Sequence, residues 1–158
     1  MFEFRLLKPD DYPVMLRWLS KKHVKQWWND GDDTLEKVIL HYGNTSDDVM
    51  RFILTESGNK TLEKPIGYFQ YYFVSDDVIG IDQFIGEEDF INKGVGRKTI
   101  ELFIDLIKRK HNPAAIVLDP SPDNKRAVRC YENVGFKHYE TKMNDDGQAA
   151  YMMRFEIS

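Results

Sequence analysis

Cysteine is nearly absent. Cys130 is the only one, so no disulfide can form within the chain. Histidine is sparse too. His23, His41, His111 and His138 are scattered, and none stands at metal-ligand spacing from another histidine or from the cysteine, so no metal is expected. No apolar run is long enough to span a bilayer, and the opening residues carry Glu3 and Arg5 in place of an apolar signal segment. A cytoplasmic protein without a membrane partner is expected. Basic charge is not in excess: 22 Lys and Arg stand against 26 Asp and Glu, for a net charge of −4. The basic face that nucleic acid requires is not indicated, whereas an acidic balance suits a cationic small molecule. Repeats, low-complexity segments and Pro/Gly/Ser linkers are also missing. What remains is a chain of 158 residues, 42% hydrophobic and 30% charged, which reads as one domain over 1–158 with room for a core.

Periodicity supplies the elements. "FEFRLL" (2–7) alternates as a strand. "DDYPVMLRWLS" starts a helix, with Asp10 or Asp11 able to cap it, Pro13 in its first turn, and Tyr12, Met15, Leu16 and Leu19 on one face. "VKQWWNDGDD" reads as a loop. A second stripe follows at Leu35, Val38, Ile39 and Tyr42, with Asp33 and Glu36 at capping-box spacing. Then "RFILTE" (51–56), "PIGYFQYYF" (65–73) and "VIGIDQFI" (78–85) form a meander, parted by the polar turns "ESGNKTLEK" and "SDD". Thr99, Leu102, Phe103, Leu106 and Ile107 make a strong helical stripe that ends at His111, Asn112 and Pro113. "AAIVLD" (114–119) is a buried strand. A helix from about Lys125 places Ala127, Tyr131 and Val134 on one face and stops at Gly135. "FKHYETK" and "AAYMMRFE" close as a strand pair around "NDDG". The order β-α-α-β-β-β-α-β-α-β-β is α+β, with one crossover expected over 78–119.

"NKGVGRKT" (92–99) lies between a strand and a long helix. Helix N-termini bind anions through unpaired N–H groups and the dipole, and glycines let a phosphate approach the backbone. The dinucleotide fingerprint would need glycine at Thr99, and the P-loop would need lysine where Arg97 stands. By itself the loop admits two readings, a tight turn or a phosphate cradle.

The loop, its preceding "IDQFIG", the later "DPSPDNKRAVRCYENVGF" and the final "DDGQAAYMM" together resemble the GNAT superfamily of N-acetyltransferases, and within it the aminoglycoside 6′-N-acetyltransferases. The similarity runs from "RWLSKKHVKQWW" to "YMM". The resemblance implies a single-domain GNAT-like α+β fold: a central, mostly antiparallel mixed sheet flanked by about four helices. It also implies acetyl-coenzyme A as cofactor, with its pyrophosphate on the amides of Lys93, Gly94, Val95, Gly96, Arg97 and Lys98. The pantetheine arm would pair with the strand ending Gln83, Phe84 and Ile85. Asn124 and the start of its helix, with Ala127 and Tyr131, would hold the other side. Ile91 departs from the superfamily, which usually has Gln or Arg there.

Amide formation from a thioester requires a neutral amine, stabilisation of the carbonyl oxygen and a proton for the departing thiolate. Asp82, an acid among apolar residues, is the candidate that collects the ammonium and takes its proton; by pattern alone it could equally face outward from its strand. Tyr131 is the candidate general acid, as the resemblance implies; by spacing it is a core aromatic, and it can be both. Cys130 is read as a packed thiol, since nothing nearby supplies a base. The resemblance implies that Asp119 and Asp146 hold amines of the acceptor, and that Trp28 of the Trp27–Trp28 pair borders it. Between "PIGYFQYY" and "GIDQ" the aminoglycoside enzymes carry a longer acidic, Trp-rich insertion, where this chain has only "FVSDDVI", with Asp76 and Asp77. The expectation is direct acetyl transfer to a cationic small-molecule amine, the 6′ amine of aminoglycosides, by a monomer or homodimer. The alternatives are another amine (a siderophore precursor, a polyamine or a protein N-terminus) or a silent acyl-coenzyme A binder.

Overall fold

A computed structural model describes residues 1–58 and 62–157. In chain order the elements are β1 (Phe2–Leu6), α1 (Tyr12–Leu19), the single turn α2 (Lys22–Lys25), α3 (Leu35–Tyr42), β2 (Met50–Glu56), β3 (Lys64–Phe73) and β4 (Val78–Ile85). Then come α4 (Val95–His111), β5 (Ala115–Leu118), α5 (Lys125–Val134), β6 (Lys137–Met143) and β7 (Ala149–Glu156). The strands form one seven-stranded mixed sheet in the order β1-β2-β3-β4-β5-β7-β6. The chain divides into two compact units: Met1–Tyr71 with Gln83–Ile91, and Tyr72–Asp82 with Asn92 onward. The middle of the expected turn "ESGNKTLEK", residues 59–61, lies outside the described residues.

In the first unit β1, β2 and β3 pair antiparallel, with Phe4 opposite Leu54 and Phe52 opposite Phe69. α1 buries Met15, Trp18 and Leu19, and α3 buries Val38 and Tyr42, against Ile53 and Tyr68. The sequence stripes were too wide at α3, where Leu35 and Ile39 stay more than 40% exposed. They were too narrow at α1, where Trp18 is fully buried because its indole N–H finds the Glu87 carboxylate at 2.6 Å. The α3 cap also shifts by one residue. Thr34, not Asp33, caps the helix, its hydroxyl accepting from the Lys37 N–H at 3.2 Å, while Asp33 pairs with the Lys37 ammonium. Asp11 precedes α1 but its carboxylate does not cap that helix. It is taken by a two-pronged bond from Arg5, 2.7 and 2.8 Å long, and by the Lys8 N–H. The expected loop at 24–33 begins inside α2, because Val24 is buried and the chain must turn to put it there.

In the second unit α4 makes the expected crossover, and β4 and β5 run parallel with Val78 opposite Ala115 and Gly80 opposite Val117. Among the described residues the register of that pairing runs from Val78 to Gly80. β7 pairs antiparallel with both β5 and β6. α4 buries Thr99, Ile100, Phe103, Ile104 and Ile107, and its last turn carries Lys108, Arg109, Lys110 and His111, which suits the negative end of the dipole. No residue of α5 is fully buried, and Ala127, Tyr131 and Val134 share a half-buried face. No helix among the described residues is long and apolar enough to cross a membrane.

Candidate active site

The glycine loop ends at Gly94, the N-cap of α4, with φ +75°. Only glycine takes that conformation without strain, and no atom would lie within 4 Å of a side chain added there. The turn therefore leaves the first N–H groups of a 17-residue helix exposed to an incoming anion. Val95 anchors the turn by burying its side chain, and Thr99 back-bonds to the Val95 carbonyl at 2.7 Å. Lys93, Arg97 and Lys98 stay exposed, and Arg97 pairs with Glu101 at 2.9 Å. Gly96 differs in kind from Gly94: a side chain there would touch the Cys130 sulfur of α5 at 3.5 Å, so it serves close packing of α4 and α5. These amides fit a pyrophosphate by geometry and dipole.

On the α5 side Asn124 is the N-cap, its side-chain oxygen accepting from the Ala127 N–H at 3.4 Å. Tyr131 is half-buried, its ring edge-on to Phe136 with centroids 6.1 Å apart. Burial pushes the neighbouring Cys130 thiol up, so it is protonated at neutral pH and a poor nucleophile.

Asp82 is half-buried on β4. Its charge and that of Asp119 act on one phenol that sequence reasoning missed, Tyr72 at the end of β3. Burial, then Asp82, then Asp119 hold the Tyr72 hydroxyl well above the ordinary phenol range, so it keeps its proton. Asp119 is exposed by area, yet protein atoms crowd its carboxyl enough for burial to push its pKa up. A signal for Tyr72 did exist. Gly80 interrupts the aliphatic strand "VIGIDQFI", and a strand glycine marks close approach. A methyl group on Gly80 would lie 2.5 Å from the Tyr72 ring. Asp146 lies at the exposed tip of the β6–β7 hairpin, its N–H held by the Asn144 side chain at 3.0 Å. The charges of Asp82 and Asp119 are thus both felt at the Tyr72 hydroxyl, while Asp146 lies in the β6–β7 turn.

Gln83, Phe84 and Ile85 close β4 within the first unit, all half-buried. There Trp28 donates its indole N–H to the Tyr42 hydroxyl at 3.1 Å and packs edge-on to Phe84 and Tyr68, at 5.1 and 5.8 Å. Trp27 is 44% exposed. Trp28 also borders a cavity of about 140 Å³ with Asn29, Asp30, Asp32 and Asp33. Folding gathers metal-type donors beside it that sequence spacing concealed: Asp30, Asp32 and His41 present atoms within 4.8 Å of one another. The His41 Nδ1 lies 2.7 Å from the Asp32 carboxylate, a contact these two groups make on their own.

The mixed sheet and the glycine turn that opens the helix after β4 agree with the GNAT-like fold that the sequence motifs imply. Residues 8–143 match the family model of the acetyltransferase (GNAT) domain. An aminoglycoside N(6′)-acetyltransferase type 1 of Klebsiella pneumoniae is 32% identical over 167 residues, covering 95% of this chain and 81% of that protein. A kanamycin resistance protein of Rhizobium radiobacter is 39% identical over 77 residues, 49% of this chain and 71% of that protein. The crystal structure of an aminoglycoside acetyltransferase in complex with coenzyme A and kanamycin superposes with a TM-score of 0.87 at 30% identity, covering 99% of this chain and 95% of that one. The chain belongs to the acetyltransferase (GNAT) domain family.

Proposed function

We propose that the chain is an acetyl-coenzyme A-dependent N-acetyltransferase that acts directly on a primary amine, the 6′-amino group of aminoglycosides. The observation that carries this reading is the 32% identity to an aminoglycoside N(6′)-acetyltransferase over 95% of the chain. The family match runs from residue 8 to 143, through both compact units, which supports one acetyltransferase domain over 1–158. The half-buried single thiol suits a reducing compartment and supports a cytoplasmic location.

Acetyl-coenzyme A supplies the activated acyl group as a thioester. The amides from Lys93 to Lys98 hold its pyrophosphate; the β4 residues Gln83, Phe84 and Ile85 align its arm; Asn124 and Ala127 border it from α5. Asp82 collects the acceptor's ammonium and takes its proton, leaving the neutral amine that attacks. Tyr131 would donate a proton to the departing thiolate, and the second proton that the nitrogen releases as the amide forms would restore the phenol. Asp119 holds a second amine of the acceptor by a charge-assisted hydrogen bond, and Tyr72, kept protonated, donates to an acceptor oxygen. Trp28 offers an apolar edge, and Asp146 supplies a peripheral charge.

A second reading keeps the chemistry and changes the amine to a siderophore precursor, a polyamine or a protein N-terminus. What favours it is the short connection from Phe73 to Val78, which carries no tryptophan. Free-thiol release from acetyl-coenzyme A separates the readings, with kanamycin and tobramycin beside spermidine and hydroxylysine. Rapid release with the aminoglycosides, and a 6′-acetylated product, is expected. Release with another amine alone would replace the substrate. No release with any of them would remove the enzymatic reading.

A further inference from the structure

α3 and the segment that leads into it carry groups that the mechanism above leaves without a role, all within the first unit. Asp32 is the most informative. Its carboxylate is only 11% exposed, and the one hydrogen bond it makes among the described residues is to His41 Nδ1, at 2.7 Å. A carboxylate taken out of water is costly unless it is well paired, and a single hydrogen bond leaves most of its lone pairs unmet. The ammonium groups nearby serve Asp33 instead: Lys37 bonds to it at 2.8 Å, and the charge of Lys25 reaches it.

Asp30, Asp32 and His41 each present a ligand atom within 4.8 Å of the others. Ligands about 2.0–2.2 Å from a zinc ion stand about 3–3.5 Å apart, so a small rotation of the exposed Asp30 completes the convergence. Two carboxylates would suffice for an ammonium group, whereas the added imidazole suits zinc and its neighbours among the transition metals. The cavity of about 140 Å³ against Asp30 and Asp32 leaves room for water in the remaining position. Metal ligands are also oriented by hydrogen bonds from the groups around them. Tyr42, 3% exposed, is placed for that: the His41 ring stacks on it at 4.2 Å, and the charges of Asp30 and Asp32 reach its hydroxyl. That hydroxyl accepts from Trp28 and keeps its own proton to donate.

We propose that Asp30, Asp32 and His41 bind a divalent transition-metal ion of the zinc type, with three protein ligands and water in the open position. In the metal-free chain a proton lies between Nδ1 and the Asp32 carboxylate. On binding, a neutral ring moves that proton to Nε2 and a charged ring releases it, so that Nδ1 and both carboxylates each give a lone pair to the ion. The ion ties the loop before α3 to that helix, beside the Trp28–Tyr42 contact. The site stands independently of the acetyltransferase reading.

The test is calorimetric titration of the metal-stripped chain with zinc chloride, with cobalt(II) absorption as the spectroscopic signature, for wild type, His41→Gln, Asp30→Asn and His138→Ala. Wild type is expected to bind a single ion. His41→Gln and Asp30→Asn are expected to weaken it about 10-fold or more, since loss of an outer partner alone costs about 10–100-fold. His138→Ala, at a histidine outside the cluster, should stay within about twofold. Zinc should raise the melting temperature of wild type and not that of His41→Gln. Asp30 is exposed, so Asp30→Asn serves if His41→Gln folds poorly. No saturable zinc binding, or equal affinity in wild type and His41→Gln, would overturn the proposal. An equal loss in His138→Ala and His41→Gln would overturn it too, as adventitious binding. Spermidine bound more tightly than zinc, with His41→Gln indifferent, would replace the ion by an ammonium group.

Discussion

Replacing Gly80 by alanine tests the arrangement of the acceptor carboxylates through a single methyl group. The new Cβ would lie 2.5 Å from Tyr72 Cζ, 2.6 Å from Cε2 and 2.8 Å from the hydroxyl oxygen. Carbon atoms rest at about 3.5–4.0 Å, so the ring must retreat by about 1 Å or the strands must part. Overpacking of this kind costs about 1–3 kcal/mol. At about 2–4 °C per kcal/mol for a chain of this size, thermal unfolding should fall by about 2–12 °C. The retreat carries the Tyr72 hydroxyl away from Asp82 and Asp119, and a misplacement of about 1 Å can cost about 100-fold in rate. Thiol release with the preferred acceptor should therefore drop by one to two orders of magnitude, with coenzyme A binding retained. The decisive control is Gly80→Ala combined with Tyr72→Ala, which removes the atoms that clash. Its stability loss should be smaller than the sum of the single losses by about 1–3 kcal/mol. An unchanged melting temperature and rate in Gly80→Ala would refute the reasoning, as would strict additivity in the double variant.

Asp82→Asn should lower turnover about 100-fold or more with coenzyme A affinity unchanged, and Tyr131→Phe should slow thiol release and alter its pH profile; normal kinetics in either variant would remove that residue from the chemistry. Asp119→Ala should raise the acceptor KM about 10-fold or more, the worth of a charge-assisted hydrogen bond, whereas Asp146→Ala at the hairpin tip should raise it only severalfold. Equal KM values for wild type and Asp119→Ala would exclude a polycationic acceptor at this position. Asp11→Asn should cost about 2–3 kcal/mol, less than the ~3–5 of a buried pair left half-empty, because Arg5 keeps Glu63. Its pH dependence has a definite sign. Burial raises the Asp11 carboxyl, but Arg5 and the Lys8 N–H outweigh it and leave the folded pKa below the ordinary value. The stabilisation is thus present above the unfolded value of about 4 and is lost as pH falls through the folded one. Melting curves of wild type and Asp11→Asn should converge in acid; a constant gap would show that the pair is not the cause.

Much of the fold was legible because its signals are local. The 3.6-residue stripe of α4, the alternation of β1 and the β-branched run of β5 each follow from which face must be buried; β1 and β5 appear within a residue of their expected limits, and α4 ends at His111 as expected but begins at Val95, inside the loop read over 92–99. The glycine loop was legible as well, since a left-handed turn before a helix favours glycine whatever surrounds it. Errors fell where a distant residue decides. Trp18 lies outside the stripe read for α1, yet it is fully buried because Glu87, far along the chain, accepts its N–H. The α3 cap is a local exception: Thr34 accepts from the Lys37 N–H, while Asp33 pairs with the Lys37 ammonium four residues on.

By itself, then, the sequence determined the element order apart from α2, the crossover and the glycine turn before α4, because backbone conformation and amphipathic period are properties of neighbouring residues. It also determined the family, through the motifs around the loop and α5. Only tertiary structure decided which acids share an environment. It brought the charges of Asp82 and Asp119 to bear on a phenol on another strand, left Asp146 in its turn, and set His41 against the Asp32 carboxylate, because burial and hydrogen-bond partners come from chain segments that sequence spacing does not relate.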